Sequence, residues 1–271
     1  PIGPLKSHAG DLLGLIPSVE MEKPAQHIIV YPRVVPLEAL GLPTHSPLVA
    51  LPARTPLFED PARIMGVRDY QRGDSPRRIH WTATASAGKL LVKRYQPAIA
   101  RETLIGLDLA QDAYGQRQRY TATELAIVVA ASIANHIAVR EKLPVGLVTK
   151  AHDPLSGEVN HFYIPPRRER SHLIHLLEVL ARAQVAPTTP LSEVLRRESV
   201  RLSWGATILA ITGRESADLF DTLVYLQRAG FSVALVLVRP AQPSAELQER
   251  SSILDVPVHR IWQERDLELW Q

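Results

Sequence analysis

Two carboxylates four residues apart, Asp108 and Asp112, follow the apolar stretch Leu104-Ile-Gly-Leu107. With the hydroxyls of Thr188, Thr189 or Thr212 and with water, they are hard oxygen donors of the kind that Mg²⁺ takes in a near-octahedral set. The structural alternative is that Asp108 and Asp112 accept backbone hydrogen bonds or cap a loop, the usual state of such groups. His172 and His175, with Glu178 three residues further on, have a helical spacing that can chelate zinc. Their helix reads as an outer one and no third convergent ligand is identifiable, so solvated side chains are the expectation. Gly88-Lys89 lacks both the upstream glycine and the following Ser or Thr of a phosphate-cradling loop. There is no Gly-x-Ser-x-Gly elbow, and ten scattered histidines single out no base for a serine. No catalytic residue is predicted, and the chain is expected not to be an enzyme.

A second constellation is Gly66-Val-Arg-Asp-Tyr-Gln-Arg-Gly-Asp-Ser-Pro-Arg-Arg-Ile-His-Trp81. Gly73-Asp74-Ser75-Pro76 is turn chemistry: glycine supplies unusual φ, aspartate bonds the backbone two residues on, and proline cannot continue a ladder. Arg68 and Arg77 flank that turn and can clasp Asp74 through charge-assisted hydrogen bonds. Tyr70 and Trp81 are expected to bury their rings with the polar tips satisfied. The segment then docks a β module onto the remainder of the chain, with direct contact to a partner as the alternative. The tripeptide Arg72-Gly73-Asp74 is too short a match to an integrin-binding sequence to carry weight.

These residues need elements to position them. Up to about Pro97 the chain is rich in proline and in short β-type runs, such as His27-Ile-Ile-Val-Tyr31 and Leu90-Leu-Val-Lys-Arg-Tyr95. From Thr103 onward, apolar runs alternate with helical patterns, the signature of a mostly parallel, doubly wound α/β sheet of Rossmann type. A buried strand is predicted at Leu104 to Leu109. A central helix follows, with Thr121 and Glu124 as a capping box and an almost wholly apolar run from Leu125 to Val139. Val145 to Lys150 and Glu158 to Ile164 read as a hairpin around Asp153-Pro-Leu-Ser-Gly157. Outer helices are predicted from Arg168 to Ala183 and from Thr189, with Pro190 in the first helical position. Strands at Ala206 to Thr212, Ser232 to Val238 and Val258 to Ile261, with helices at Ser216 to Ala229 and Ser244 to Ser251, complete the series. The expected division is a β-rich module over residues 1–100 and an α/β domain over residues 101–271.

The segment from Gly66 to Trp81, with Leu90 and Val92 on the next strand and Glu102 beyond, resembles the signature of the domain-of-unknown-function-58 family. The pattern is Arg-x-Tyr-x-x-Gly-Asp-x-x-Arg-x-Ile-x-Trp, on which Arg68, Tyr70, Gly73, Asp74, Arg77, Ile79 and Trp81 fall. The resemblance runs from about Asp11 to Ala183 and implies a von Willebrand factor A-like domain in the second half. It also implies a bacterial protein with an N-terminal membrane hairpin and a MoxR-type AAA+ ATPase as partner, working in complex assembly. Domains of that fold carry a metal-ion-dependent adhesion site built from Asp-x-Ser-x-Ser, a threonine and a later aspartate. Asp108 matches, but Ala110 and Asp112 replace the serines and Ile211-Thr-Gly-Arg214 offers no aspartate. A degenerate site at Asp108, Asp112, Thr189 and Thr212 is therefore expected, with no cofactor or at most Mg²⁺.

Composition narrows the remaining choices. With 271 residues, 45% of them hydrophobic, the chain can fill a substantial core. The absence of cysteine removes disulfides, thiolate metal sites and cysteine nucleophiles. No run reaches the roughly 18 consecutive apolar residues of a spanning helix. The chain opens at Pro1 without an initiator Met, so an upstream anchor is expected to place this portion at the cell membrane, on the cytoplasmic face where the ATPase works. The segment Arg63 to Arg101 holds nine Lys or Arg against Asp69 and Asp74, in a chain whose total charge is +3. Such a zone can face phosphates, anionic lipid or an acidic partner. Nucleic acid is the weakest of these, because Tyr70, Trp81 and Tyr95 form no repeated stacking pattern. The leading expectation is a noncatalytic protein-interaction adaptor or scaffold. The alternatives are a Mg²⁺-dependent binder or enzyme at Asp108 and Asp112, and nucleic-acid binding through residues 63–101.

Overall fold

The run Thr103-Leu-Ile-Gly-Leu107 is apolar on both faces, and in the computed structural model every one of its residues is buried. The structure describes residues 5–9, 19–23, 28–37, 59–71, 76–97 and 102–268. In chain order the strands are β1 (Leu5–Ala9), β2 (Val19–Lys23), β3 (Glu59–Asp69), β4 (Leu91–Pro97), β5 (Thr103–Leu107), β6 (Val145–Asp153), β7 (Glu158–Arg167), β8 (Thr207–Thr212), β9 (Ser232–Val238) and β10 (Val258–Ile261). The helices are α1 (Trp81–Ala87), α2 (Arg119–Asn135), α3 (Arg170–Arg182), α4 (Leu191–Glu198), α5 (Ala217–Arg228), α6 (Ala245–Leu254) and α7 (Glu264–Glu268). Six strands form one sheet in the order β10-β9-β8-β5-β6-β7. All its neighbours run parallel except β7, which returns antiparallel to β6 as the sequence predicts.

Alternation along the strands sends side chains to opposite faces, and each face has its own helices. Ile105, Leu107, Val145 and Leu147 pack with α2 and α3, while Leu104, Val148, Ile208 and Ala210 pack with α4 and α5. Gly106 lets α4 come close, since a Cβ there would lie 2.6 Å from Leu195 Cδ2. The helix α2 continues through a π turn at His136–Arg140. Its span Arg119–Arg140 is long and apolar enough to cross a membrane, but 72% of the apolar window is buried inside the fold. Apolarity all round is what a central core helix requires.

Three local expectations need correction. The helix α2 starts two residues before Thr121, with Gln118 as N-cap and no side-chain cap bond, so Thr121 and Glu124 form no capping box. The helical ladder already begins with Ala122 N–H on Gln118 O at 2.8 Å, so Thr121 lies inside the first turn. Pro190 is the N-cap of α4 and not its first helical residue, with extended ψ of 146°. Residues 28–31 form no strand; the extended segment 28–37 instead lies against the α/β domain. Val35 N–H donates to Ser132 Oγ at 2.9 Å, and Val35 and Leu37 join the core. Arg33 pairs with Glu264 at 2.6 Å. Part of the first hundred residues thus contributes to the core around the six-stranded sheet.

Candidate functional site

β5 lies between β8 and β6, and the chain leaves its C-terminal end toward α2 on one side while β8 enters from the other. This is a topological switch point, where the strand ends splay and a crevice opens. Asp108 follows β5 directly and is 5% exposed. Its backbone N–H donates to Ile211 O at 2.8 Å, which ties the loop to β8. One carboxylate oxygen accepts from Ala110 N–H at 3.1 Å and the other from the Thr212 hydroxyl at 2.8 Å. Tyr114 is buried beside it and donates its hydroxyl to Asp108 O at 2.7 Å. Gly213 makes room for that ring, because a Cβ there would collide with it and lie 2.6 Å from Ala113 O.

Burial pushes the Asp108 carboxyl above its ordinary value, against the Thr212 and Ala110 hydrogen bonds and the Arg214 charge, which pull it down. The Tyr114 phenol is pushed far up by burial and by the Asp108 charge, and so stays a donor. Arg214 extends from the end of β8 and meets Asp112 at 2.5 Å. On the far side of the loop, Lys150 near the end of β6 donates to Thr189 Oγ1 at 3.0 Å. Between them lies an open cleft of about 960 Å³, lined among others by Asp112, Tyr114, Arg119, Lys150, Thr188 and Thr189.

The four residues expected at a degenerate metal site are therefore split. Asp108 and Thr212 bond to each other below the surface, whereas Asp112 and Thr189 face the cleft with cationic partners of their own. This donor set does not fit a divalent ion. Ala110 offers no side-chain oxygen, both Asp108 oxygens already serve protein donors, and the Arg214 guanidinium stands where it would repel a dication. Among the described residues no group of three His, Cys, Asp or Glu can hold a metal. His172 bonds Val145 O at 3.2 Å and its pKa is lowered, chiefly by burial, while His175 pairs with Glu178 at 3.8 Å. Tyr114, Arg119 and Lys150 were not singled out from the sequence. A tyrosine six residues beyond Asp108 and a lysine closing an apolar strand have no signature until the strands are ordered.

The Arg68 to Trp81 segment builds a separate piece. β3 pairs antiparallel with β4, Arg68 opposite Val92. Ile79 bridges to Val92, and His80 N–H donates to Leu91 O at 2.8 Å. Here α1 is capped by His80 Nδ1, which accepts from Ala83 N–H, and it ends at Gly88 with φ 66°. Thr84 holds α1 to β4 through bonds to the Leu91 backbone. Gly73 and Asp74 lie outside the described residues, as does the Arg77 side chain, so the proposed clasp falls there too. Arg68 donates to Asp69 O at 3.1 Å, and Asp69 pairs with Lys89 at 2.9 Å. The expected burial of the rings is not found: Trp81 is 66% exposed and Tyr70 36%. The seven-residue α1 buries none of its residues, so it offers no pocket for an indole.

Solved structures similar to this chain include the SpRpn10 VWA domain, at 11% identity and TM-score 0.43, covering 62% of this chain and 94% of that one. A von Willebrand factor type A protein from Catenulispora acidiphila is 13% identical at TM-score 0.42, covering 65% of this chain and 41% of that one. An aerotolerance-related membrane protein from Bacteroides fragilis NCTC 9343, carrying multiple mutations to serines, is 14% identical at TM-score 0.42, covering 60% and 92%. No curated protein matches the chain. A match over residues 66–213, more than half of the chain, takes in both the Arg68 to Trp81 segment and the strands β5 to β8, and the chain belongs to the family described as Protein of unknown function DUF58.

Proposed function

We propose that this chain is a noncatalytic protein-interaction module that grips a partner with the C-terminal edge of its sheet. The observation that carries this reading is the cleft of about 960 Å³ at the switch point, beside a buried carboxylate, Asp108, that holds the loop through Ala110 and Thr212. A group that activates water or a nucleophile must have the reacting partner within hydrogen-bond reach. Asp108 is buried with Ala110 N–H on one oxygen and the Thr212 hydroxyl on the other, and one Asp112 oxygen is bound to Arg214. Rigid strand ends with polar groups around a crevice suit recognition instead.

Family membership supports the finer parts of the proposal: a tether to the membrane through a segment outside this sequence, and a MoxR-type AAA+ ATPase as partner. The exposed Trp81 and Tyr70 favour partner contact over domain docking for the signature segment, since large exposed aromatics are typical anchors of interfaces. The test is crosslinking in native membranes, comparing the full-length protein with its Lys150→Glu and Trp81→Ala variants. An AAA+ ATPase recovered with the wild type and depleted with the variants is the expected result. Recovery of no stoichiometric partner by the wild type rejects the reading.

A further inference from the structure

Two cations in the switch-point cleft have no anionic partner. Lys150 donates to the neutral hydroxyl of Thr189 at 3.0 Å. Arg119, the first residue of α2, lines the same cleft, and its Nε is buried without a hydrogen-bond partner. The carboxylate facing the cleft, Asp112, is already matched by Arg214. A buried guanidinium donor left unpaired is costly, and the cost is recovered when an anion supplies the missing acceptor. The first turn of α2 has no side-chain cap at Gln118, so its backbone leaves further donors unmet by a cap on the side of Arg119.

We propose that this cleft takes a carboxylate of an acidic peptide segment, held by Arg119 and Lys150 without a metal ion. The proposal deepens the protein-interaction reading above and rests on it. Charge selects the class of ligand. Two unmatched cations beside the Asp112 carboxylate suit single negative charges spaced along a chain, whereas a phosphate dianion would crowd Asp112. The size of the cleft and its apolar walls at Tyr114, Val159 and Pro187 leave room for the methylenes and backbone of a peptide. Arg119 offers a planar fork that matches a carboxylate, and Lys150 a point charge beside it.

The test is fluorescence anisotropy with a labelled hexaglutamate peptide at low salt in EDTA, against wild type, Arg119→Gln, Lys150→Gln and Arg119→Lys. The wild type should bind, each glutamine variant should bind about tenfold more weakly, and Arg119→Lys should recover part of the loss. Thermal melts report whether each variant is folded, and Lys150→Gln, at the cleft surface, stands as the measure if Arg119→Gln unfolds. Inorganic phosphate at matched ionic strength should compete no better than chloride. Equal binding by wild type and Lys150→Gln, binding only with added Mg²⁺, or displacement by phosphate ahead of the peptide would each overturn the proposal. A partner captured in membranes together with no hexaglutamate binding sinks this inference and leaves the protein-interaction reading standing; no partner at all sinks that reading first.

Discussion

Asp108 is a carboxylate used as a structural part. Removing it by Asp108→Ala leaves Ala110 N–H and the Thr212 hydroxyl buried without their acceptor, and roughly 2–4 kcal/mol of stability should be lost in chemical denaturation. The isosteric Asp108→Asn keeps an acceptor for Ala110 and turns an N–H donor toward the Thr212 hydroxyl oxygen, which can accept it, so its cost should be much smaller. The pH dependence has a definite sign. Because burial raises the Asp108 pKa from 3.8, the native state holds its proton more tightly than the unfolded chain does. The stability this group contributes is complete below its unfolded pKa and is lost as pH rises through the folded one. The melting temperature of Asp108→Asn relative to wild type should therefore climb as pH is raised from below 3.8 through the carboxylate range and then level off. A difference that shrinks with pH would show that the carboxylate is stabilised in its charged form. Gly213→Ala tests the same corner sterically, since the added methyl meets the Tyr114 ring and lies 2.6 Å from Ala113 O. A loss of about 1–3 kcal/mol is expected, read by the same denaturation.

At the level of elements, two attachments hold the crest in place. One is α4 against β5, where Leu195 covers Gly106 and is fully buried. Leu195→Ala should cost about 2–5 kcal/mol, the range for a leucine removed from a packed core. The other is the extended segment 28–37 on α2. Ser132→Ala removes the acceptor of Val35 N–H while leaving the α/β sheet intact. Hydrogen exchange at Val35 should quicken, with exchange in β5 and β8 unchanged. If the whole sheet exchanges faster, the segment is an integral part of the cooperative core and not an attachment to it.

For the molecule as a whole, the question is whether the sheet edge at Asp108 and Asp112 takes a divalent ion. Calorimetric titration with Mg²⁺ or Mn²⁺ at millimolar concentration should give no metal-linked heat, and Asp108→Ala should leave the trace unchanged. Heat that disappears in Asp108→Ala would restore the metal-dependent reading. The basic zone at residues 63–101 belongs to this scale as well. If it meets nucleic acid, retention on DNA or RNA must fall steeply with salt, and no retention at low salt is the expected outcome.

Sequence alone carried the class of the fold and the edges of most strands, because a doubly wound sheet buries both faces of its strands and writes them as unbroken apolar runs such as Ser232-Val-Ala-Leu-Val-Leu-Val238. It also carried the pair Asp108 and Thr212, each visible as a polar group at the end of such a run. Thr121 and Glu124 have the spacing of a capping box, yet the helix begins at Arg119 with its first backbone bond from Ala122 N–H to Gln118 O, because spacing alone does not say which residue leaves the helical backbone. The exposure of Trp81 was not legible, since a tryptophan in a signature says nothing about which side of a seven-residue helix it occupies. Arg119, Lys150 and Thr189 are up to 70 positions apart in the chain and meet only once β5, β6 and α2 are set side by side. Local periodicity encodes what each segment buries, but the meeting of charges at a crest depends on strand order, a long-range property that no window of sequence contains.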